Sequence, residues 1–214
     1  MKKLLIAAVI CFSFFVLSLS ACKYDSDLKN TITEERSDIF CGTSENIALS
    51  CAYGYTGNPE KVYALTFKLD VDPTTEISYS VTVNLDKTYT EKFSFNPVSH
   101  ALTAKVFAKL DDIKSFDAII SFGSSKISVS LFSLKPENTL SVSEALTILK
   151  KTQPSLINSY INDRGEFDAT LCVRLTVKSE HPYYYVAFTR PSGDKKALLL
   201  DGFTAEVLAV RDIF

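Results

Sequence analysis

Histidine is almost missing from this chain: His100 and His181 are the only two in 214 residues. Neither has a second ligand at metal spacing, so a histidine-bearing metal site has little to draw on. Both read as loop residues, His100 beside an Asn96-Pro97 turn. Phosphate-cradling loops are missing too, because Gly123-Ser124-Ser125-Lys126 lacks the preceding glycines. No Gly-x-Ser-x-Gly nucleophile turn occurs. Asp111-Asp112, and Asp70 with Asp72, follow no calcium-loop spacing and read as solvated turns. No cofactor or metal is expected. A basic excess is also absent, since the formal net charge is -2. That argues against a nucleic-acid partner, which wants a basic face.

What is present begins with a leader. Met1-Lys2-Lys3 is a short basic start, and Leu4 to Leu19 carries no charge. The run is short of the ~20 apolar residues of a comfortable span. It has the charged-then-apolar plan of a secretory signal ending in small residues. Leu19-Ser20-Ala21-Cys22 resembles the lipobox of bacterial lipoproteins. That resemblance implies cleavage before Cys22 and a diacylglyceryl thioether on it, so that residues 1–21 leave as a lipoprotein signal peptide. The body would then be extracytoplasmic, lipid-anchored to the outer face of a plasma membrane or to an outer membrane. Several acyl chains on one residue hold stably where a single chain binds marginally. Without Lys2 and Lys3 the body has 21 basic and 25 acidic residues, a net charge of about −4. That argues against general adhesion to anionic lipid.

Three cysteines then remain besides Cys22, namely Cys41, Cys51 and Cys172. Three thiols cannot all pair within one chain. Cys41 with Cys51 would close a short loop in a compartment where disulfides persist. The alternative is a buried, unpaired thiol acting as a small hydrophobe. The local sequence leaves connectivity open. Cys172 falls on the polar side of its segment and reads as a thiol shielded at a domain contact.

Residues 22–43 are polar and mixed in charge, which reads as the lipidated Cys22 and a flexible tether. From 44 to 136 the dominant period is two. Tyr63, Leu65, Phe67 and Leu69 alternate with polar residues, as do Ile77, Tyr79, Val81 and Val83. Leu102, Ala104 and Val106 continue the pattern, and then Ile127, Val129 and Leu131. Turn chemistry separates these runs. About seven short strands suggest an antiparallel immunoglobulin-like β-sandwich, with a barrel as second choice. The tryptophan of antibody domains is absent, because the chain has none.

Residues 137–214 change period. Ser141-Val142-Ser143-Glu144 has the form of a capping box opening a helix. Pro154 interrupts, and Leu156, Ile157, Tyr160 and Ile161 suggest another turn or two. Alternation resumes from Phe167 to Val177, the first of three or four antiparallel strands that follow the helix. The expected class is therefore mainly β with an α+β C-terminus. Ser143-Glu144-Ala145 and Asp201-Gly202-Phe203-Thr204-Ala205-Glu206-Val207 are similar to the helix start and closing hairpin of a PepSY domain. Ala205 stands where that family usually has glycine. The resemblance implies a small PepSY-like domain with a non-catalytic role, restraining or modulating a peptidase.

Two function classes fit these features. The first is a non-catalytic binding or modulatory lipoprotein of the cell envelope, whose partner is an envelope protein or peptide, with a peptidase the implied case. The second is an envelope hydrolase whose site is assembled from residues distant in sequence. Tyr183-Tyr184-Tyr185 forms the candidate binding surface, because tyrosine offers large area and a hydroxyl at low entropic cost. The alternative for those three is a sheet-favouring run with one packed face.

Overall fold

The computed structural model describes residues 27–213, apart from 46, 72–76 and 111. The leader, the lipobox and Cys22 lie outside the described residues. No described helix is long and apolar enough to cross a membrane.

The architecture is mainly antiparallel β, one sheet curled nearly into a barrel. It starts with a short 3-10 turn at Leu28–Thr31, then strands β1 (Ile32–Ser44), β2 (Ile47–Thr56) and β3 (Val62–Asp70). Next come β4 (Tyr79–Asn84), β5 (Thr88–Lys92), β6 (Ser94–Asn96) and β7 (Ala101–Val106), then β8 (Ser115–Phe122) and β9 (Ser125–Ser133). The chain continues through helices α1 (Val142–Thr152) and α2 (Pro154–Asn158) to β10 (Thr170–Lys178), β11 (His181–Thr189), β12 (Lys195–Asp201) and β13 (Val207–Ile213).

One branch runs β1-β2-β3-β7-β6, and the other runs β1-β9-β8-β4-β5. β5 and β6 are separated only by Phe93, whose amide donates to the Tyr79 carbonyl at 2.9 Å. The two branches therefore meet, and the sheet returns almost on itself. A curled sheet buries one face without a covering layer. Leu65, Phe67, Val81, Val83, Ala118, Ile120, Val129 and Leu131 fill that interior at zero exposure. They are the alternating positions of the sequence. These pairings draw one sheet rather than the two facing sheets of an immunoglobulin-like sandwich.

The last third packs differently. β10 to β13 form an antiparallel ribbon in chain order, and α1 covers one face. The capping box is formed: the Glu144 amide donates to Ser141 Oγ at 3.2 Å, and the Ser141 amide donates to Glu144 Oε2 at 2.7 Å. Leu146 and Leu149 bury against Leu171, Val173, Val186 and Leu198.

β1 corrects the expected tether. Residues 32–43, read as flexible, form a strand shared by both regions. It pairs with β2 along its length, with β10 in parallel over Ile32–Arg36, and with β9 at Phe40 and Cys41. Two register shifts, between Ile32 and Glu34 and between Arg36 and Asp38, break its period of two. Its polar side chains are satisfied by distant partners. Neither feature is visible locally. The boundary placed at 43/44 is thus crossed by a continuous strand.

The Cys41–Cys51 disulfide is also corrected. Cys41 lies opposite Ser50, and Cys51 lies opposite Phe40. Adjacent ladder positions alternate faces, so the two thiols point to opposite sides of the sheet. Both are free, with Cys51 buried in the barrel interior.

Candidate binding face

The β10–β13 ribbon has helix on one face and nothing described on the other. Register decides which side chains stand on the bare face. Tyr184 and Leu200 are paired and point to the helix side, so Tyr183, Tyr185 and Leu199 point the opposite way. Arg174 lies opposite Tyr185, and Arg174 also pairs with Arg36 of β1. Cys172 pairs with Glu34. The bare face therefore runs without a break from β12 across β11 and β10 to β1 and β2.

The three tyrosines separate. Tyr183 and Tyr185 are half-buried on the bare face. Tyr184 is fully buried, and its hydroxyl donates to the Leu140 carbonyl at 2.6 Å. It is a core residue that holds the entry to α1, which removes it from the candidate surface. Its burial pushes the phenol well above the usual tyrosine range.

A charged group beside the tyrosines was missed by the sequence reading. Arg174 grips Glu34 with two parallel hydrogen bonds, Nε to Oε1 at 2.9 Å and NH2 to Oε2 at 3.0 Å. Arg36 Nε stands 3.6 Å from the same carboxylate. Burial raises the Glu34 carboxyl, but the Arg174 bonds and the two guanidinium charges outweigh it and hold the group below its ordinary range. Burial first, then the Glu34 charge, pushes the Cys172 thiol up, so it is a poor nucleophile. Arginine and tyrosine are both enriched at protein interfaces, and the bidentate carboxylate fixes the guanidinium in place beside the ring.

His181 also departs from the loop reading. It opens β11, and its Nε2 is 2.6 Å from Asp201 Oδ2. Its ring packs on Tyr183 and Phe203, at 4.8 and 5.0 Å between centroids. Asp201 Oδ1 accepts from the amides of Phe203 and Thr204, which builds the turn into β13. Burial raises the Asp201 carboxyl, but the His181 bond and these amides prevail and lower it. His100 stays exposed in the β6–β7 loop.

Two carboxylates on the other face of β1 have the opposite perturbation. Burial raises Glu35, against a bond from Tyr55, and raises Asp38, against bonds from Ser133 and the Ile39 amide. Asp38 borders a depression with Lys114, Lys135 and Glu137, Glu35 borders one with Tyr55, and the Lys135 charge reaches both carboxylates. Among the described residues no group of three or more His, Cys, Asp or Glu side chains gathers for a metal.

No family model, no curated protein and no solved structure matches the chain.

Proposed function

We propose that this protein is a lipid-anchored binding or modulatory protein of the cell envelope, acylated at Cys22 and non-catalytic. The observation that carries the binding role is the bare sheet face, with Tyr183 and Tyr185 beside the Arg174–Glu34 fork. A sheet that buries one face and offers aromatics on the other has area to give a partner. The partner is an envelope protein or peptide. The PepSY-like reading of the last third makes a peptidase the first candidate. Support for it comes from one helix over an antiparallel ribbon and from Ala205, whose φ of 58° suits a position that usually holds glycine.

A photoreactive side chain at position 185 tests the face. It is expected to form an adduct with an envelope protein, while the same group at exposed Phe107 does not. Tyr183→Ser added to the position-185 probe is expected to abolish the adduct with folding intact. Equal cross-linking from both positions defeats the reading. For the anchor, Cys22→Ser is expected to accumulate as precursor without acyl label, and normal labelling of that variant ends the claim.

The hydrolase alternative has Glu35 and Asp38 as its best acids, since raised carboxyls mark functional sites. No described histidine stands with them to activate the Ser133 hydroxyl, which donates to Asp38 at 2.7 Å, so the binding reading is preferred.

A further inference from the structure

The body is acidic overall, yet four of its lysines stand near the start of the described chain. The described chain starts at Asp27, only five residues after Cys22. Five residues span at most ~18 Å. Whatever surrounds Asp27 therefore lies close to the bilayer if Cys22 carries lipid, and any membrane role for that end rests on the proposed acylation.

Three elements meet at this root. Leu28 packs in one cluster with Leu146 and Leu149 of α1. That contact brings up the last turn of α1, which carries Lys150 and Lys151, and the Lys150 charge reaches Asp27. The β2–β3 loop is tied to the same turn, because Asn58 Nδ2 donates to the Asn30 carbonyl and the Gly57 amide donates to the Thr33 carbonyl at 2.8 Å. Lys61 comes next in that loop, exposed, with its ammonium 4.2 Å from the centre of the Tyr55 ring. Lys29 stands in the turn itself, 3.1 Å from Asp27. Lys29, Lys61, Lys150 and Lys151 thus stand around this root, together with Asp27, Glu60 and, just before β10, Asp168.

We infer that this end is a seat for anionic phospholipid headgroups. Lys29, Lys61, Lys150 and Lys151 meet the lipid charge beside the acyl anchor. The anchor supplies attachment, and the lysines supply orientation. Each lysine near an anionic surface contributes roughly a fivefold factor. Lys29, Lys61 and Lys151 are exposed and Lys150 is half-buried, and lysine ammoniums reach headgroups on flexible stems, so no rigid pocket is needed. The consequence is a fixed direction of display. β1 has 13 residues, about 40 Å at 3.3 Å per residue. At its far end lies the β6–β7 hairpin, where Val98 in the loop is 92% and Phe95 in β6 is 49% exposed. Those apolar residues point away from the bilayer, to be met by protein rather than lipid.

Lysine footprinting tests this on the intact acylated protein. The protein is reconstituted in vesicles of phosphatidylcholine alone or mixed with phosphatidylglycerol, and acetylation of each lysine is timed by mass spectrometry. Lys92 and Lys126 are internal controls. They lie in one row across β5, β4, β8 and β9 at the far end. The expected result is at least fivefold slower acetylation of Lys29, Lys61, Lys150 and Lys151 in anionic vesicles, with Lys92 and Lys126 unchanged. Half-molar salt is expected to restore the rates, because exposed charges are then screened. Lys150→Glu with Lys151→Glu is expected to unprotect Lys29 and Lys61 as well. An acylated chain whose four lysines react alike in both vesicles overturns the seat alone. Protection of Lys92 and Lys126 instead overturns the orientation. A chain with no acyl mass on Cys22 overturns the anchor reading, and the seat with it.

Discussion

The barrel region and the β10–β13 ribbon solve the same problem in different ways. Each has strands with one apolar face. The barrel curls until those faces meet, so its interior needs no second layer. The ribbon stays open and must borrow α1 and α2 for cover. A helix can cover only one side, so the ribbon keeps a bare face and the barrel does not need one. The candidate binding surface sits where the sheet fails to close. β1 belongs to both solutions, pairing with β10 at one end and β9 at the other.

That shared strand gives the strongest way to break the contrast. A Cβ at Gly54 would stand 1.8 Å from the Glu35 carbonyl oxygen and 2.8 Å from the Arg36 Cα. Gly54→Ala must therefore part β1 from β2 where both regions depend on them. A loss of more than about 4 kcal/mol is expected in urea unfolding, the range kept for severe core damage. A variant as stable as wild type would show that the strands separate freely.

The two cores can next be compared one residue at a time. Leu149→Ala in the ribbon core and Leu65→Ala in the barrel core each empty a fully buried site. About 3 kcal/mol is expected for either. Because β1 couples the regions, hydrogen exchange is expected to show both cores losing protection together in either variant. Independent loss would make them separate folding units.

Acid sharpens the difference between the two faces of β1. Glu34 is held below its ordinary range, so its pairing with Arg174 stabilises the fold above the unfolded carboxyl range and is lost as pH falls through the lower folded value. Glu35 and Asp38 are raised, so their contribution runs the other way: stability falls as pH rises from the unfolded value through the raised folded one. Glu35→Gln is expected to stabilise at pH 7 with the gain gone near pH 4. Glu34→Gln is expected to destabilise at pH 7, by about 1–2 kcal/mol for a half-buried arginine left unpaired. Urea midpoints across pH 4–7 check both signs.

The smallest effect belongs to the ribbon alone. Ser179 and Glu180 join β10 to β11 with φ of 50° and 62°, a two-residue turn in which both residues are left-handed. Ser179→Asn with Glu180→Gly supplies the residues such turns prefer. A gain of about 1 kcal/mol is expected, read as a higher melting temperature. No gain would mean that the turn is held by its strands.

Regular stretches were readable from the chain because their period matches their environment. β3, β4, β7 and β9 alternate cleanly, and the Ser141–Glu144 box marked the start of α1. The strands without alternation were lost. β1 looked like a tether because its bulges scramble the period and because Glu34 finds Arg174 140 residues away. The tyrosine triplet was legible as a surface candidate, but not which member faces in. β10 and β12 set that register, and they place Tyr184 opposite Leu175 and Leu200.

The sequence by itself determined the β class, the helix start and, through Leu19-Ser20-Ala21-Cys22, the expectation of a lipid anchor. Those depend on neighbours within a few residues, where periodicity and capping act. Tertiary structure alone decided that residues 32–44 form the central strand, that Cys41 and Cys51 point apart, and that one face of the ribbon is bare. Each depends on which strands pair, and pairing joins residues the chain keeps far apart.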